Sequence, residues 1–228
     1  MPADHDIDSL DRLRELYGQP AAQAWAKETP GLTPAYRRWL EQARFFALAT
    51  SGPEGLDCSP RGDAKGAAFA VLSDTELAIP DRRGNNRLDS LANIVVDGRV
   101  ALLFLIPGIL EALRVNGRAT LTTDPTLRAR FAMAGREPVS VIRVTIEAVY
   151  FQCARALMRS QLWSEAARLS ADQVPTAGEM TKAADPEFDA ENYDAALRDE
   201  CELNIHSLLR ACKVRVCLRH VPTSWCLR

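Results

Sequence analysis

The chain has 228 residues, 47% of them apolar and 25% charged, and its 28 Lys and Arg against 30 Asp and Glu leave a net charge of −2. That composition excludes a disordered or fibrous chain and a dedicated nucleic-acid binder, which would be strongly basic. The longest apolar run, Val100 to Leu110, is broken by Pro107-Gly108 and is too short to cross a bilayer.

Residues 8–28 read as one amphipathic helix, with Leu10, Leu13, Leu16 and Tyr17 on one face. Pro30-Gly31 ends it, and a second helix is expected from Thr33, with Pro34 in its first turn, to Ala43. Phe45–Thr50 is a short apolar run followed by the turn cluster Ser51-Gly52-Pro53-Glu54-Gly55. Leu56–Arg61, Ala67–Leu72 and Glu76–Ile79 read as strands, and a helix is expected from about Arg87, capped by Asn86, with Asp89 in an imperfect capping box and Leu88, Leu91 and Val95 inward. Val100–Ile106 and Ala112–Thr122 follow as strands, with Asn116-Gly117 marking a bulge or a close packing point. Asp124-Pro125 opens a helix to about Ala134, and Ile142–Ala148 alternates as a half-buried strand. A last helix is expected from Asp185-Pro186 to Glu200. Six or so strands with short helices inserted predict a mainly β fold, an antiparallel barrel with flanking helices rather than a βαβ sheet.

The charge is unevenly spread. After Glu202 there is no acidic residue, while Arg210, Lys213, Arg215, Arg219 and Arg228 add five positive charges, so residues 1–202 carry −7. The same stretch adds Cys212, Cys217 and Cys226 to Cys201, and the spacing of these cysteines with His206 and His220 fits no metal-ligand pattern. No secretory signal is expected, and free thiols point to a cytoplasmic protein.

No histidine lies between His5 and His206, which removes His-based triads and most zinc sites from the body of the chain. Cys58 and Cys153 lack a His partner and CxxC spacing, and read as buried structural thiols. There is no Walker sequence and no GxGxxG after a strand. What remains is a pair of polar segments, Cys58-Ser59-Pro60-Arg61-Gly62-Asp63 and Ala78-Ile79-Pro80-Asp81-Arg82-Arg83-Gly84-Asn85-Asn86-Arg87-Leu88-Asp89-Ser90-Leu91-Ala92-Asn93. A helix start preceded by arginines suits an anion, since free N–H groups and planar guanidinium forks both favour phosphate. A solvated basic loop whose arginines pair with nearby acids fits the same residues.

These segments, with Leu103-Phe104-Leu105-Ile106-Pro107-Gly108, Leu113-Arg114-Val115-Asn116-Gly117 and the run Phe151 to Trp163, together resemble the pyridoxamine 5′-phosphate oxidase-like flavoproteins. Within them the chain is similar to a bacterial subgroup with SPRGD and PDRxGN signatures. The resemblance implies a split β-barrel that binds FMN at the interface of a homodimer. It divides the chain into N-terminal helices packing on the barrel (1–44), the FMN-binding barrel (45–165), a helical segment (166–200) and an atypical basic tail (201–228).

The cofactor-binding positions it implies are Ser59, Arg61, Asp63, Pro80, Asp81, Asn86, Arg87, Asn93, Arg114, Arg159 and Ser160. Arg61 and Arg87 would hold the phosphate, Asp63 and Asp81 would brace the arginines, and Pro80-Asp81 would pass along the ring. Arg159 and Ser160 would come from the second subunit. Arg114 points opposite to Leu113 and Val115, either toward the flavin, where a cation raises its potential, or to solvent. Trp163 would stack on flavin or substrate, or sit in the core. The RxVLLK-type flavin motif and the His/Arg pair of the vitamin B6 oxidase are absent, and Gln152 and Arg155 replace an expected His and Lys. The implied function is an FMN-dependent oxidoreductase acting on a small molecule, with no residue singled out as catalytic. The alternatives are a deazaflavin F420-dependent reductase or a non-catalytic flavin- or haem-binding protein.

Overall fold

The computed structural model describes residues 5–199, so the 201–228 tail lies outside the described residues. The chain divides into two compact units, one ending at Trp163 and the other beginning at Ser164.

The first unit begins with α1 (Leu10–Tyr17) and α2 (Ala22–Ala26). The single helix expected over 8–28 is thus two, because Gly18 takes φ +70 and Pro20 follows. The face of Leu10, Leu13, Leu16 and Tyr17 is exposed rather than buried. Helix α3 (Pro34–Leu40) is capped by the Thr33 hydroxyl, which accepts from the Tyr36 amide. It drives Leu40 fully into the core.

Seven strands then form one antiparallel sheet: β1 (Phe45–Gly52), β2 (Gly55–Gly62), β3 (Ala70–Val71), β4 (Glu76–Pro80), β5 (Arg99–Leu105), β6 (Ala112–Thr122) and β7 (Val141–Gln152). Their order is β2-β1-β5-β6-β7-β4-β3. The fold is therefore mainly β, a split barrel with flanking helices, as the strand pattern predicted. Three short helices complete the unit: α4 (Asp89–Val96), α5 (Pro125–Arg130) and α6 (Arg155–Arg159). Helix α5 stops at Arg130, short of the Ala134 expected, and a tight turn through Ala134 and Gly135, both at positive φ, follows.

Alternation sets the register. Phe46, Leu48 and Thr50 of β1 face Phe104, Leu102 and Val100 of β5, and all six are buried. Leu102 and Phe104 in turn oppose Val115 and Leu113 of β6. The ring of Phe69, just before β3, packs against Phe46 at 5.9 Å and Phe104 at 5.1 Å between centroids. Those contacts bring the far end of the sheet back onto β1 and close the core. Each such buried ring contributes about 1.5–3 kcal/mol.

One glycine is required here. At Asn116/Gly117 the β6–β7 register shifts by a residue, and a Cβ on Gly117 would stand 2.0 Å from the Thr145 carbonyl oxygen. The bulge expected at Asn116-Gly117 is present, and only a residue without a side chain fits it.

The second unit contains α7 (Ala177–Ala184), with a Thr176/Glu179 capping box, and a helix over 190–199. Helix α7 had no counterpart in the sequence reading, and the later helix begins after Asp189 rather than at Asp185. Asp189 accepts from the Asn192 amide at 3.1 Å, which makes it the start signal, while Asp185 closes α7. Among the described residues no helix is long and apolar enough to cross a membrane.

Candidate functional site

The polar segments meet where the sheet is split. β2 runs along one side with Asp57, Ser59 and Arg61 turned inward; on the other, β4 leads into a coil over 81–88 and then α4. A cleft of about 940 Å³ opens between them, walled on its third side by the 136–140 loop. Its size suits a cofactor-sized ligand.

Arg61 is the centre of the cleft. Its Nη1 reaches Asp81 Oδ1 at 3.5 Å and its Nη2 donates to Ser90 Oγ at 3.3 Å, both long contacts. Its Nε is buried with no hydrogen-bond partner. Ser90, at the second position of α4, donates to Asp57 at 2.5 Å and lies 3.0 Å from the Ser59 hydroxyl. Burial pushes the Asp81 carboxyl above its ordinary value of 3.8, and the Arg61 charge and hydrogen bond oppose that rise without cancelling it.

A second ion pair crosses the first. Arg82 donates from Nε to Asp63 at 3.0 Å, from Nη1 to the Phe131 carbonyl at 2.8 Å and from Nη2 to the Ala67 carbonyl at 3.2 Å. Asp81 thus pairs with Arg61, while Asp63 pairs with Arg82 rather than with either expected phosphate ligand. Pro80 is buried and lines a 150 Å³ pocket on the other side of Arg61 and Arg82.

The helix start differs from expectation. Asn86 does not cap α4: it takes φ 60, Leu88 takes φ 61, and the helix begins at Asp89 with no side-chain cap. The Asn85 side chain accepts from the Arg87 amide, a local turn that competes with helical pairing. The buried face is consequently Ser90, Asn93 and Ile94; Leu88 and Val95 are exposed and only Leu91 is partly inward. The helix start also meets its own acids, Asp89 in the first turn and Asp57 on Ser90, so an incoming anion has to be met by arginines rather than by the dipole. Arg87 is largely exposed and donates to Asp89 at 2.6 Å.

The other expected positions lie apart from this cleft. Asn93 is buried and its Nδ2 donates to Thr50 Oγ1 at 3.1 Å, beneath α4. Arg114 stacks over the Tyr150 ring at 5.0 Å, on the outward face of the sheet. Arg159 is exposed in the last turn of α6, and the Ser160 hydroxyl donates to the Leu157 carbonyl. Trp163 donates from Nε1 to the Ile109 carbonyl at 2.8 Å, tying down the loop before β6. Cys58 and Cys153 are exposed, not buried. Cys58 lies on an edge strand whose inner face is taken by Asp57, Ser59 and Arg61.

Asp57, Ser90 and Arg136 line the cleft but were not among the expected cofactor-binding positions. The period-two spacing of Asp57, Ser59 and Arg61 was a readable signal for the first. The other two carried none, since a helical serine and a loop arginine are common.

A seven-stranded antiparallel split barrel with an arginine-lined cleft at the gap is the class that the fold and site define. The model of the pyridoxamine 5′-phosphate oxidase family matches residues 32–153, just over half the chain. The chain belongs to that family. No curated protein matches it. Among solved structures it is similar to HupZ of Group A Streptococcus, at 14% identity over 54% of this chain and 96% of that one, with a TM-score of 0.45. A pyridoxinephosphate oxidase family protein of Clostridium acetobutylicum, related to general stress protein 26, has 11% identity over 52% and 86%, with a TM-score of 0.40. An FAD-binding protein of Mesorhizobium loti has 16% identity over 54% and 96%, with a TM-score of 0.37.

Proposed function

We propose that the chain is an FMN-dependent oxidoreductase of this family, acting on a small molecule and working as a cytoplasmic homodimer. One observation carries the reading: Arg61 projects into a cofactor-sized cleft with a buried, unpartnered Nε and two long contacts. Leaving such a donor unpaired costs about 1–3 kcal/mol, which an anionic ligand would recover. The donor set fits a phosphate monoester: a guanidinium fork from Arg61 with the hydroxyls of Ser59 and Ser90 beside it.

In this reading Asp81 and Ser90 orient the Arg61 fork, and the crossed pair Arg82–Asp63 holds the two sides of the gap in register. The exposed side chains of Leu88 and Val139 supply apolar wall for a planar ring. Bound FMN would supply hydride transfer, a chemistry for which the described cleft offers no histidine or cysteine of its own. The homodimer is supported by an outward sheet face of Phe45, Ala47, Ala49, Ala101 and Leu103, which is apolar and exposed or half-buried in the single chain.

Absorbance of the purified full chain tests the cofactor. The expected result is a two-banded flavin spectrum, or its appearance on adding FMN, with FMN fluorescence quenched at saturation. Protein that stays colourless and leaves FMN fluorescence unchanged would overturn the proposal. A deazaflavin peak would move it to the F420 reading.

A further inference from the structure

Of the charged residues lining the cleft, Asp57, Arg83 and Arg136 are the three in no ion pair with a described residue. Arg61 meets Asp81, Arg82 meets Asp63, Arg87 meets Asp89, and Glu137 is drawn away to Arg128 at 3.4 Å. Asp57 accepts from Ser90 and adds to the charge around Arg87. Arg83 and Arg136 line the same cleft, and neither side chain forms an ion pair or hydrogen bond with any described residue. Both are exposed.

They belong to different loops. Arg83 sits in the coil between β4 and α4, ahead of the left-handed residues Asn86 and Leu88. Arg136 is fixed by a two-residue turn: Met133 and Arg136 exchange both backbone hydrogen bonds at 2.9 Å, with Ala134 and Gly135 at positive φ between them. A positive φ at a bulky residue such as Leu88 costs about 1–3 kcal/mol and is retained where surrounding structure needs it. Two loops thus each present an exposed, unpaired cation to one concave space, whose lining carries five arginines against four acids. Concave walls carrying one excess sign concentrate the field and attract ligands of the other sign.

We infer that Arg83 and Arg136 form a second anion subsite, separate from Arg61, that takes the phosphate or carboxylate of the substrate. This rests on the proposed cofactor reading, in which Arg61 is committed to the FMN phosphate. The cleft, near the upper end of the range for ligand sites, has room for both molecules. An anionic substrate group held there would be oriented from two sides by planar donors, whereas a neutral substrate would leave both cations unmatched.

The test is calorimetric titration of inorganic pyrophosphate, and separately of succinate, into the full chain loaded with FMN at low ionic strength. One of the two anions is expected to bind, and its identity separates a phosphate-bearing from a carboxylate-bearing substrate. The Arg83→Ala/Arg136→Ala double variant should weaken that binding at least tenfold while FMN affinity stays within twofold of wild type. Arg83→Gln/Arg136→Gln, which keeps the bulk and polarity of both chains, should show the same loss and an unchanged melting temperature. If neither anion binds the wild type, or the double variants bind it equally, the subsite does not exist. If the variants lose FMN instead, the two arginines belong to the cofactor site and the inference fails. Should the wild type take up no FMN, the same titration is run on the FMN-free chain against an Arg61→Ala background. Loss on removing Arg83 and Arg136 there sustains the subsite alone, and no loss overturns it.

Discussion

Arg61 reaches Asp81 at 3.5 Å across the gap between β2 and the end of β4, and the reverse pair, Arg82 to Asp63, spans the same gap at 3.0 Å. The two pairs are not equivalent. Each nitrogen of Arg82 has a partner, a carboxylate or one of two carbonyls, while Arg61 keeps a buried donor unpaired. The first is a structural clasp and the second is the one with binding capacity to spare. Arg61→Ala is therefore expected to weaken FMN by about 1.5–3 kcal/mol, the range for a hydrogen bond to a charged group. Arg61→Lys should fall between, because an ammonium cannot present a planar fork. Arg87→Ala also weakens FMN, but by less, since Arg87 is largely exposed and already engaged by Asp89. Fluorescence titration of FMN checks all three, and equal affinities for wild type and Arg61→Ala would sink the phosphate site.

The two perturbed carboxylates of this unit respond to pH in opposite senses. Asp81 is raised above 3.8, chiefly by burial and against the pull of Arg61. Its protonated form is thus favoured by folding, so its contribution to stability is complete below pH 3.8 and is lost as pH rises through its own raised pKa. Asp97 is lowered to about 2, chiefly by the Arg99 side chain. It contributes above 3.8 and loses that contribution as pH falls toward 2. Carboxyl-carbon NMR should show the two titrating on either side of 3.8. Arg61→Gln removes what opposes burial and should move Asp81 further up, leaving Asp97 in place. An Asp81 that titrates at or below 3.8 would contradict the burial assigned to it.

Gly117→Ala tests the bulge. A Cβ 2.0 Å from the Thr145 carbonyl oxygen and 3.2 Å from the Ile146 Cα meets backbone on the neighbouring strand, which cannot swing aside as a flexible side chain could. A destabilisation of about 3 kcal/mol is expected, at the top of the range for overpacking. Urea denaturation measures it, and a loss below about 1 kcal/mol would mean that the β6–β7 register can slip.

The readable and unreadable parts of this chain divide on a physical line. Strands β5, β6 and β7 follow from alternation and continuous apolar character, because burial on a sheet face imposes period two on the sequence. Strand β2 defeats the same rule: its polar residues Asp57, Ser59 and Arg61 face inward, while Leu56 and Cys58 face out. A reading that puts thiols in the core places Cys58 there, yet the inversion is what furnishes the cleft. The start of α4 was missed by two residues because it depends on positive φ at Asn86 and Leu88, a conformation that leucine gives no sign of adopting. The arginines were legible as a group. Asp63 and Asp81 were legible as bracing acids, but which arginine each would hold was not, since Arg61–Asp81 and Arg82–Asp63 become partners only in three dimensions.

Asn93 separates a structural residue from a cofactor ligand. It was expected to touch the cofactor, but it lies buried with its amide donating to the Thr50 hydroxyl of β1, and a Cβ on Gly52 would meet its Oδ1 at 2.1 Å. Gly52 thus leaves the room in which Asn93 sits, and Asn93 ties α4, the helix that carries Ser90, to the sheet. Asn93→Ala strands the Thr50 hydroxyl in a buried position and should cost about 1–3 kcal/mol of folding stability. If the role is bracing, FMN affinity of the folded variant well below its melting temperature stays within about threefold of wild type, the stability loss being confined to global unfolding. If Asn93 is a ligand, affinity falls by more than tenfold with little change in melting temperature. Thermal denaturation and FMN titration on the same preparation separate the two, because the expected losses fall on different measurements.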